Sequence, residues 1–287
     1  MGQITPQMVK DLREKTGAGM GDCKTALVET DGNMNEAIEY LRKKGAAALA
    51  KRQDRSANEG LVIALTTADG KNAAIVEVNS ETDFVAKNEG FEKFTKQVCE
   101  TILANNPKTI DDVMALSVGN DTVNGLYNEL LAKFSEKIEI RRFARLISDG
   151  TLANYIHAGS KLAVLIDVSV QNPSEKSYSL IRDIAMQIAA MNPLFVDRKD
   201  VPQSVIDKEL EIYKEAAVVE GKNPEIAGKI AMGKLNKFYQ EQCLLEQQFV
   251  KDSSKFIKDV VKEISSDSGT EVKINSFVRY FLGETIE

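Results

Sequence analysis

The sequence is poor in the residues that build catalytic and metal sites. Its 287 residues include one histidine, His157, and three cysteines, Cys23, Cys99 and Cys243, which form no CxxC pair. It also has no HExxH motif and no serine or cysteine in a nucleophile-elbow context. An odd number of widely spaced cysteines argues against a disulfide scaffold or a zinc site and fits a reducing compartment. We therefore expect a protein that is not an enzyme and that holds no metal or cofactor.

Long apolar runs and an excess of positive charge are also missing. No run approaches the roughly 20 apolar residues that span a bilayer, and the first residues lack the basic and apolar parts of a signal peptide. The net charge of −6 argues against nucleic acid as the main partner, because neutralising phosphates requires a basic surface. With 43% hydrophobic and 28% charged residues, the sequence indicates a cytoplasmic globular protein without membrane contact.

The first part of the chain is predicted to form three short helices around a small core. Thr5 is expected to cap the first helix, Asp22 the second and Asn33 the third, because their side-chain oxygens can accept a hydrogen bond from a free helical N–H. Gly45 is expected to end the third helix. A bundle of this size buries little apolar surface, so we expect an accessory module tethered to a larger core.

A β-hairpin followed by a helix is predicted twice in the chain. In both copies two short apolar strands flank a polar turn, and a helix then runs up to an Asn-Pro pair. Setting Asn106-Pro107 on Asn192-Pro193 also superposes the apolar positions of the two helices. We infer two copies of one unit, each with a sheet covered on one face by its helices. The predicted strands are residues 61–67 and 72–78 in the first copy and 151–157 and 162–170 in the second.

The remaining segments are predicted to be mainly helical. Two helices are expected between the copies, and the longer one carries apolar residues from Val123 to Ile138 at helical spacing. Two charged helices between 202 and 238 are expected to form an antiparallel hairpin that projects from the core, because a two- or three-residue joint makes antiparallel neighbours. A helix over 254–264 and a strand over 272–282 complete the predicted order.

The most informative stretch joins the first hairpin to its helix. It reads Glu77-Val78-Asn79-Ser80-Glu81-Thr82-Asp83-Phe84-Val85-Ala86-Lys87. The stretch leaves a strand, sets an acid beside an aromatic in a connection, and leads to Asn88, a good N-cap for the next helix. Only the first copy carries this acid–aromatic pair, which indicates that the connection is an addition for a specific task and not part of the shared scaffold. On the residues alone, a loop phenylalanine that folds back into the core stays an equal alternative.

These eleven residues resemble the second signature of the translation elongation factor Ts family, the nucleotide-exchange factors of elongation factor Tu. The segment from Leu12 to Lys24 resembles the first signature of that family, except that Gly21 stands in place of a commoner Met. The segment Tyr155-Ile156-His157-Ala158-Gly159 resembles the part that meets a second domain of the partner. With the repeated core and the helical arm, the resemblance covers nearly the whole chain.

The resemblance implies a function that needs no catalytic group. It implies a guanine nucleotide exchange factor that binds elongation factor Tu–GDP, dislodges Mg²⁺ and promotes GDP release in translation elongation. The implied wedge against the partner's GTPase domain is Thr82, Asp83, Phe84 and Val85. Further contacts with the partner are implied at Leu12, Met20 and His157.

The predicted fold class is α+β. It combines an N-terminal three-helix, UBA-like module, a core of two related hairpin-plus-helix subdomains and a projecting antiparallel helical hairpin. By resemblance this arm is a coiled coil that several members use for self-association, so a free monomer and a dimer both stay open. Some relatives carry a C-terminal tail that touches the partner, a contact expected to be missing beyond Glu287. The expected boundaries are 1–55 for the N-terminal module and linker, 56–145 for the first core subdomain, 146–200 and 239–287 for the second, and 201–238 for the arm.

Two functions of other classes stay open on the sequence. The basic residues between Arg42 and Arg55 are the exception to the acidic balance, and they allow an RNA- or ribosome-associated module. An enzyme that works through Cys23 or Cys99 is the other alternative. Salt-dependent RNA binding would favour the first, and loss of function on replacing the cysteines would favour the second.

Overall fold

The computed structural model describes residues 4–16, 18–50, 55–134 and 136–285. The helices are α1 (Pro6–Thr16), α2 (Met20–Glu29), α3 (Met34–Ala50), α4 (Asp83–Ala86), α5 (Glu89–Asn105), α6 (Ile110–Ala115), α7 (Val123–Lys133), α8 (Glu175–Met191), α9 (Gln203–Val219), α10 (Pro224–Gln242) and α11 (Ile257–Ser268). The strands are β1 (Glu59–Thr66), β2 (Asn72–Ser80), β3 (Ser117–Val118), β4 (Asp121–Thr122), β5 (Ile138–Ile147), β6 (Thr151–Ile156), β7 (Leu162–Val168), β8 (Gln248–Phe249), β9 (Asp252–Phe256) and β10 (Ile274–Phe281). This mixture confirms the α+β class, and no helix within these ranges is long and apolar enough to cross a membrane.

The N-terminal helices α1, α2 and α3 pack around a small apolar core. Two of their expected caps are confirmed, because the Thr5 hydroxyl accepts a hydrogen bond from the amide of Met8 (3.2 Å) and Asn33 Oδ1 accepts one from the amide of Glu36 (3.3 Å). These caps fix where α1 and α3 begin. The buried core residues are Val9, Leu12, Ala18, Cys23, Ala26, Leu27, Ala37 and Leu41.

Two expectations for these helices are wrong. Asp22 does not cap α2, which begins at Met20, and its carboxylate accepts a hydrogen bond from Lys44 Nζ instead (2.8 Å). Gly45 does not end α3, which continues for another turn. Gly45 packs against α7, where an added Cβ would lie 3.6 Å from the backbone nitrogen of Ala132. This tertiary contact prevails over the weak local preference of glycine for a helix end.

Two three-stranded antiparallel sheets form the core. The first has the strand order β1-β2-β5 and the second has the order β10-β7-β6. Both predicted hairpins and the predicted final strand are therefore confirmed. Helices α5, α6 and α7 cover the outer face of the first sheet, and α8 and α11 cover that of the second, so the expected cover of each sheet by helices on one face is confirmed as well.

Strand β5 is an element that the sequence analysis missed. The predicted helix through Ile138 is wrong, because α7 ends at Lys133 and Ile138 begins a strand. Ile138 is fully buried, and β5 pairs with β2 along its length, with a bulge beside Glu77. A second boundary also differs: α11 begins at Ile257 rather than at Ser254, because the residues before it pair as β8 and β9.

The two copies pack against each other through the inner faces of their sheets, a contact that the sequence analysis did not predict. Strand positions in the two copies correspond at an offset of 90, from 62 to 152 and from 70 to 160. Val62 donates its amide to the carbonyl of Ser160 (2.6 Å), and its counterpart Leu152 donates to the carbonyl of Gly70 (2.8 Å). This reciprocal pattern is that of a two-fold related pair. The buried residues between the sheets are Val62, Ala64, Ala73, Ile75, Leu152, Ala163, Leu165 and Leu282.

Helices α9 and α10 form the predicted helical hairpin between α8 and α11. At its base the guanidinium of Arg198 lies 4.5 Å from the ring centre of Tyr239. Helix α10 runs a few residues beyond the expected end of the arm at 238. At the opposite end of the hairpin Val219 is 88% exposed. The buried residues at the base are Val201, Leu235, Tyr239 and Cys243.

Candidate functional site

The connection after β2 is longer than its counterpart after β7. Strand positions of the two copies correspond at an offset of 90, but α5 and α8 correspond at an offset of 86, from Asn106 to Asn192. The first copy therefore has four additional residues here. The helix α4 has four residues and lies in this connection, where the sequence analysis expected no helix. A single helical turn is thus added to the plan that the two copies share.

Helix α4 presents one aromatic side chain to solvent. Phe84 is 82% exposed, whereas the next two residues, Val85 and Ala86, are buried in the core of the first sheet. Successive helical residues point about 100° apart, so one turn can bury one side and expose the other. The alternative that Phe84 folds back into the core is therefore wrong. Val85, expected at the partner surface, instead anchors the turn.

A carboxylate from the segment between α7 and β5 holds the start of α4. Glu136 accepts hydrogen bonds from the amide of Thr82 (3.0 Å) and from its hydroxyl (2.7 and 2.9 Å to the two carboxylate oxygens). Thr82 is the N-cap of α4 but makes no side-chain cap bond of its own. The hydroxyl of Ser80 donates to the carbonyl of Thr82 (2.9 Å). All the polar groups of Thr82 are thus engaged within the chain.

Asp83 forms an ion pair with Lys87 one turn later. Its Oδ2 lies 2.6 Å from Lys87 Nζ. This hydrogen bond lowers the pKa of Asp83 below its usual value, with a smaller contribution from the charge of Lys161, and the same bond raises the pKa of Lys87. Asp83 is therefore ionised at neutral pH. Exposed pairs of this kind are weak, so a partner's cation or N–H group can replace Lys87 at little cost.

Glu77, at the start of the same motif, ties the last strand to the first sheet. Its buried carboxylate accepts hydrogen bonds from Arg141 Nη1 (2.9 Å), Arg142 Nε (2.6 Å) and the amide of Gly283 (2.9 Å). The guanidinium of Arg142 also lies 4.1 Å from the ring centre of Tyr280. A buried charge is costly to leave unpaired, so these donors hold β2 firmly. The strand that carries α4 is therefore a rigid support.

His157 lies in the exposed turn between β6 and β7. Its Nδ1 is 3.0 Å from the hydroxyl of Tyr155. Lys161, at the end of this turn, pairs with Glu59 (2.7 Å), and Glu59 lies opposite Ser80 in the pairing of β1 with β2. The structure thus brings the His157 turn and α4 to the same edge of the molecule.

The two candidate residues of the N-terminal module differ in exposure. Leu12 is fully buried in the small core, so its side chain is not on the surface of the chain. Met20, the first residue of α2, is 50% exposed. A Cβ at the neighbouring Gly21 would meet no atom within 4 Å, so the surface beside Met20 is open.

The basic run between Arg42 and Arg55 is neutralised where the structure describes it. The carboxylates beside these cations leave little net positive charge on this part of the run, and phosphate binding depends on such charge. Lys51 and Arg52 lie outside the described residues, as does Gly17 of the first motif. The ion pairs are Arg42–Glu129 (2.7 Å), Lys43–Glu39 (2.8 Å), Lys44–Asp22 (2.8 Å) and Arg55–Glu81 (3.4 Å).

Sequence reasoning missed two charged residues of this site. Glu136 lies 54 positions after Thr82, in a segment whose apolar spacing predicts a helix, so no local pattern connects the two. Lys87 belongs to the motif, and its spacing of four residues from Asp83 was the available signal for an ion pair across one helical turn.

The fold and this edge define a class of protein. Two packed sheet-and-helix units support a fixed turn, which exposes an aromatic ring beside an ionised acid. An exposed aromatic on a rigid support is typical of a surface that docks another protein.

Comparison with known proteins gives the family. A family model described as Elongation factor TS matches residues 81–284. The chain is 48% identical over 289 residues to the elongation factor Ts of Chloroherpeton thalassium, and this match covers 99% of this chain and 100% of the relative. It is 46% identical over 288 residues to that of Chlorobaculum parvum (99% and 100%) and 43% identical over 286 residues to that of Clostridium perfringens strain SM101 (99% and 94%). The chain belongs to the elongation factor Ts family.

Proposed function

We propose that this protein is a guanine nucleotide exchange factor for elongation factor Tu, which acts in translation elongation in the cytoplasm. Its membership of the elongation factor Ts family supports this role. The single observation that carries the mechanism is the 82% exposure of Phe84 on a turn whose next two side chains, Val85 and Ala86, are buried. That side chain is free to enter a partner without any rearrangement of its own core.

Exchange by binding alone requires no covalent step. A factor that binds the nucleotide-free GTPase more tightly than the nucleotide-bound form weakens nucleotide affinity by the same factor. GTPases hold the phosphates and Mg²⁺ through backbone amides and a few side chains, so a small displacement there is costly to the nucleotide. In our proposal Phe84 is the anchor in the GTPase domain, and Asp83 competes where the Mg²⁺ ligands are held.

The other candidate residues take two kinds of role in this proposal. Met20 and His157 are exposed and provide further contacts, on the N-terminal module and on the turn beside α4. Thr82 and Val85 hold the turn from within the chain, and Leu12 acts through the packing of the N-terminal module. The exposed ring of Phe84 and the ionised Asp83 are then the parts of α4 that meet the GTPase.

We also propose the domain division expected from the sequence, with 1–55 as a UBA-like module. The apolar clusters support it, because one lies within 1–55, one within 56–145 and one within 146–200 and 239–287.

The exposed Val219 and Ile226 beside the joint of the arm support self-association through that arm. This self-association is tested by comparing the mass of the free protein in solution with that of a variant in which both residues are replaced by serine.

The wedge is tested by the rate of GDP release from elongation factor Tu with Phe84→Ala. We expect a loss of more than tenfold, because a truncated aromatic anchor typically costs about 2 kcal/mol or more. Ile147→Ala is the matched control, since Ile147 is 65% exposed and pairs with the opposite end of β2. Release as fast with Phe84→Ala as with the control would refute the wedge.

A further inference from the structure

The start of α4 depends on a residue distant in sequence. Thr82 directs its hydroxyl to Glu136 rather than to the amides of α4, and its own amide bonds the same carboxylate. A helix of one turn has too few internal hydrogen bonds to hold itself in water. Its position must therefore come from contacts outside it.

The last residue of α7 and the segment between α7 and β5 supply such contacts at both ends of the turn. Glu136 holds Thr82 at the start, and Lys133 Nζ lies 3.3 Å from Oδ1 of Asn88 just after the end. Val85 fixes the side of the turn that faces the core. The ring of Phe84 itself, 82% exposed, has little packing of its own to set its direction.

We propose that Glu136 is a positioning residue for nucleotide exchange, which fixes the direction in which α4 presents Phe84. This inference rests on the proposed function. Two charge-assisted hydrogen bonds to one residue define both the place and the orientation of the N-cap. Without them α4 docks through the remaining surfaces but holds Phe84 in the productive direction for a smaller fraction of the time.

The test measures GDP release from elongation factor Tu as a function of factor concentration, for Glu136→Ala, Glu136→Gln and Glu139→Ala. We expect Glu136→Ala to lower the maximal rate about tenfold, the scale of a lost charge-assisted bond, with little change in the half-saturating concentration. Glu136→Gln keeps an oxygen that accepts from Thr82 and should restore most of the rate. Glu139 is an exposed neighbour that pairs with Lys137 (3.3 Å), and its replacement should have no effect.

Amide hydrogen exchange separates positioning from a general loss of structure. With Glu136→Ala, exchange should become faster over residues 81–88 and stay unchanged in β7 and α8. Unchanged exchange over 81–88, or a maximal rate equal to that of the unaltered protein, would overturn the inference. If Phe84→Ala is also fully active, the proposed wedge through Phe84 fails and the positioning role fails with it; if Phe84→Ala is inactive while Glu136→Ala is active, only the positioning role fails.

Discussion

Cys99 shows how burial changes the chemistry of a single side chain. Its thiol donates to the carbonyl oxygens of Ile63 (3.6 Å) and Ala74 (3.5 Å) in the core of the first sheet. Burial raises the pKa of Cys99 to about 12 and that of Cys243 to about 11, and it raises the pKa of Cys23 as well. Because the thiolate is the nucleophile, these environments disfavour an enzyme that works through Cys23 or Cys99.

We expect all three thiols to resist Ellman's reagent in the native protein at pH 8. With a pKa of about 12, roughly one Cys99 side chain in ten thousand is a thiolate at that pH. The three buried thiols should react stoichiometrically once denaturant unfolds the chain. Rapid labelling of any cysteine before unfolding would contradict this prediction.

The raised pKa of Cys99 also gives stability a pH dependence. Folding favours the protonated thiol, so this contribution is complete below the ordinary pKa of 9.0 and is lost as the pH rises toward 12. The free energy of unfolding should therefore fall more steeply above pH 9.0 in the unaltered protein than in Cys99→Ala. Urea unfolding at a series of pH values measures this difference, and parallel curves would argue against it.

Some residues of the site could be predicted from the sequence and others could not. Asp83 and Phe84 stand in one continuous motif, so their position in the connection after a strand could be predicted. The first motif, at residues 12–24, did not distinguish Leu12 from Met20, because both are apolar and only the packing of three helices buries the first and exposes the second. The role of Glu136 could not be predicted, because it depends on a strand pairing that brings this residue to Thr82.

Helices α5 and α8 share a stop signal that the sequence did reveal. Each ends at an asparagine followed by proline, and Asn106 (φ 53°) and Asn192 (φ 47°) both adopt the left-handed conformation. Asparagine tolerates this conformation better than other residues with a Cβ, and proline cannot continue the helix. The alignment of the two copies on these pairs therefore rested on a real structural equivalence.

Replacing these caps should separate backbone strain from side-chain loss. We expect Asn106→Ala and Asn192→Ala each to lower the free energy of unfolding by about 1 kcal/mol, because alanine is strained in this conformation. The corresponding glycine variants should match or exceed the unaltered protein. Asn105→Ala, within the helical range, is the control for α5. Equal losses with glycine and alanine in urea unfolding would show that the side chain, not the backbone, matters.

Strand β5 begins where the periodicity of apolar residues predicts the continuation of a helix. Apolar residues from Val123 to Ile138 recur at helical spacing, so the periodicity favoured one long helix. The strand forms because β2 offers it a pairing edge and Glu77 satisfies two of its arginines, which no local pattern shows. One signal was available: Ile140, Phe143 and Arg145 recur as Ile274, Phe277 and Arg279 in β10, at an offset of 134.

At the scale of the whole molecule, the two copies are related by an approximate two-fold axis. Gly60 and Gly150 hold equivalent positions, and a Cβ at either would lie 2.1 Å from the carbonyl oxygen of Val78 or of Val168, respectively. The bulge in the pairing of β2 with β5 also recurs in the pairing of β7 with β10. The sequence indicated the repeat but not this arrangement, because the pattern of apolar and polar residues along a strand does not show which element covers the second face of its sheet.

The shared layer between the sheets should make the two copies unfold together. Ile75 and its counterpart Leu165 are both fully buried in that layer, so Ile75→Ala or Leu165→Ala should lower the free energy of unfolding by about 2–5 kcal/mol. Unfolding either copy exposes the inner face of the other, so each substitution should reduce amide protection in β2 and in β7 alike. Ile147→Ala, at a largely exposed position, should change stability by less than about 0.5 kcal/mol. Protection lost only in the substituted sheet would mean that the two copies are stable separately and that the layer between them holds little of the fold.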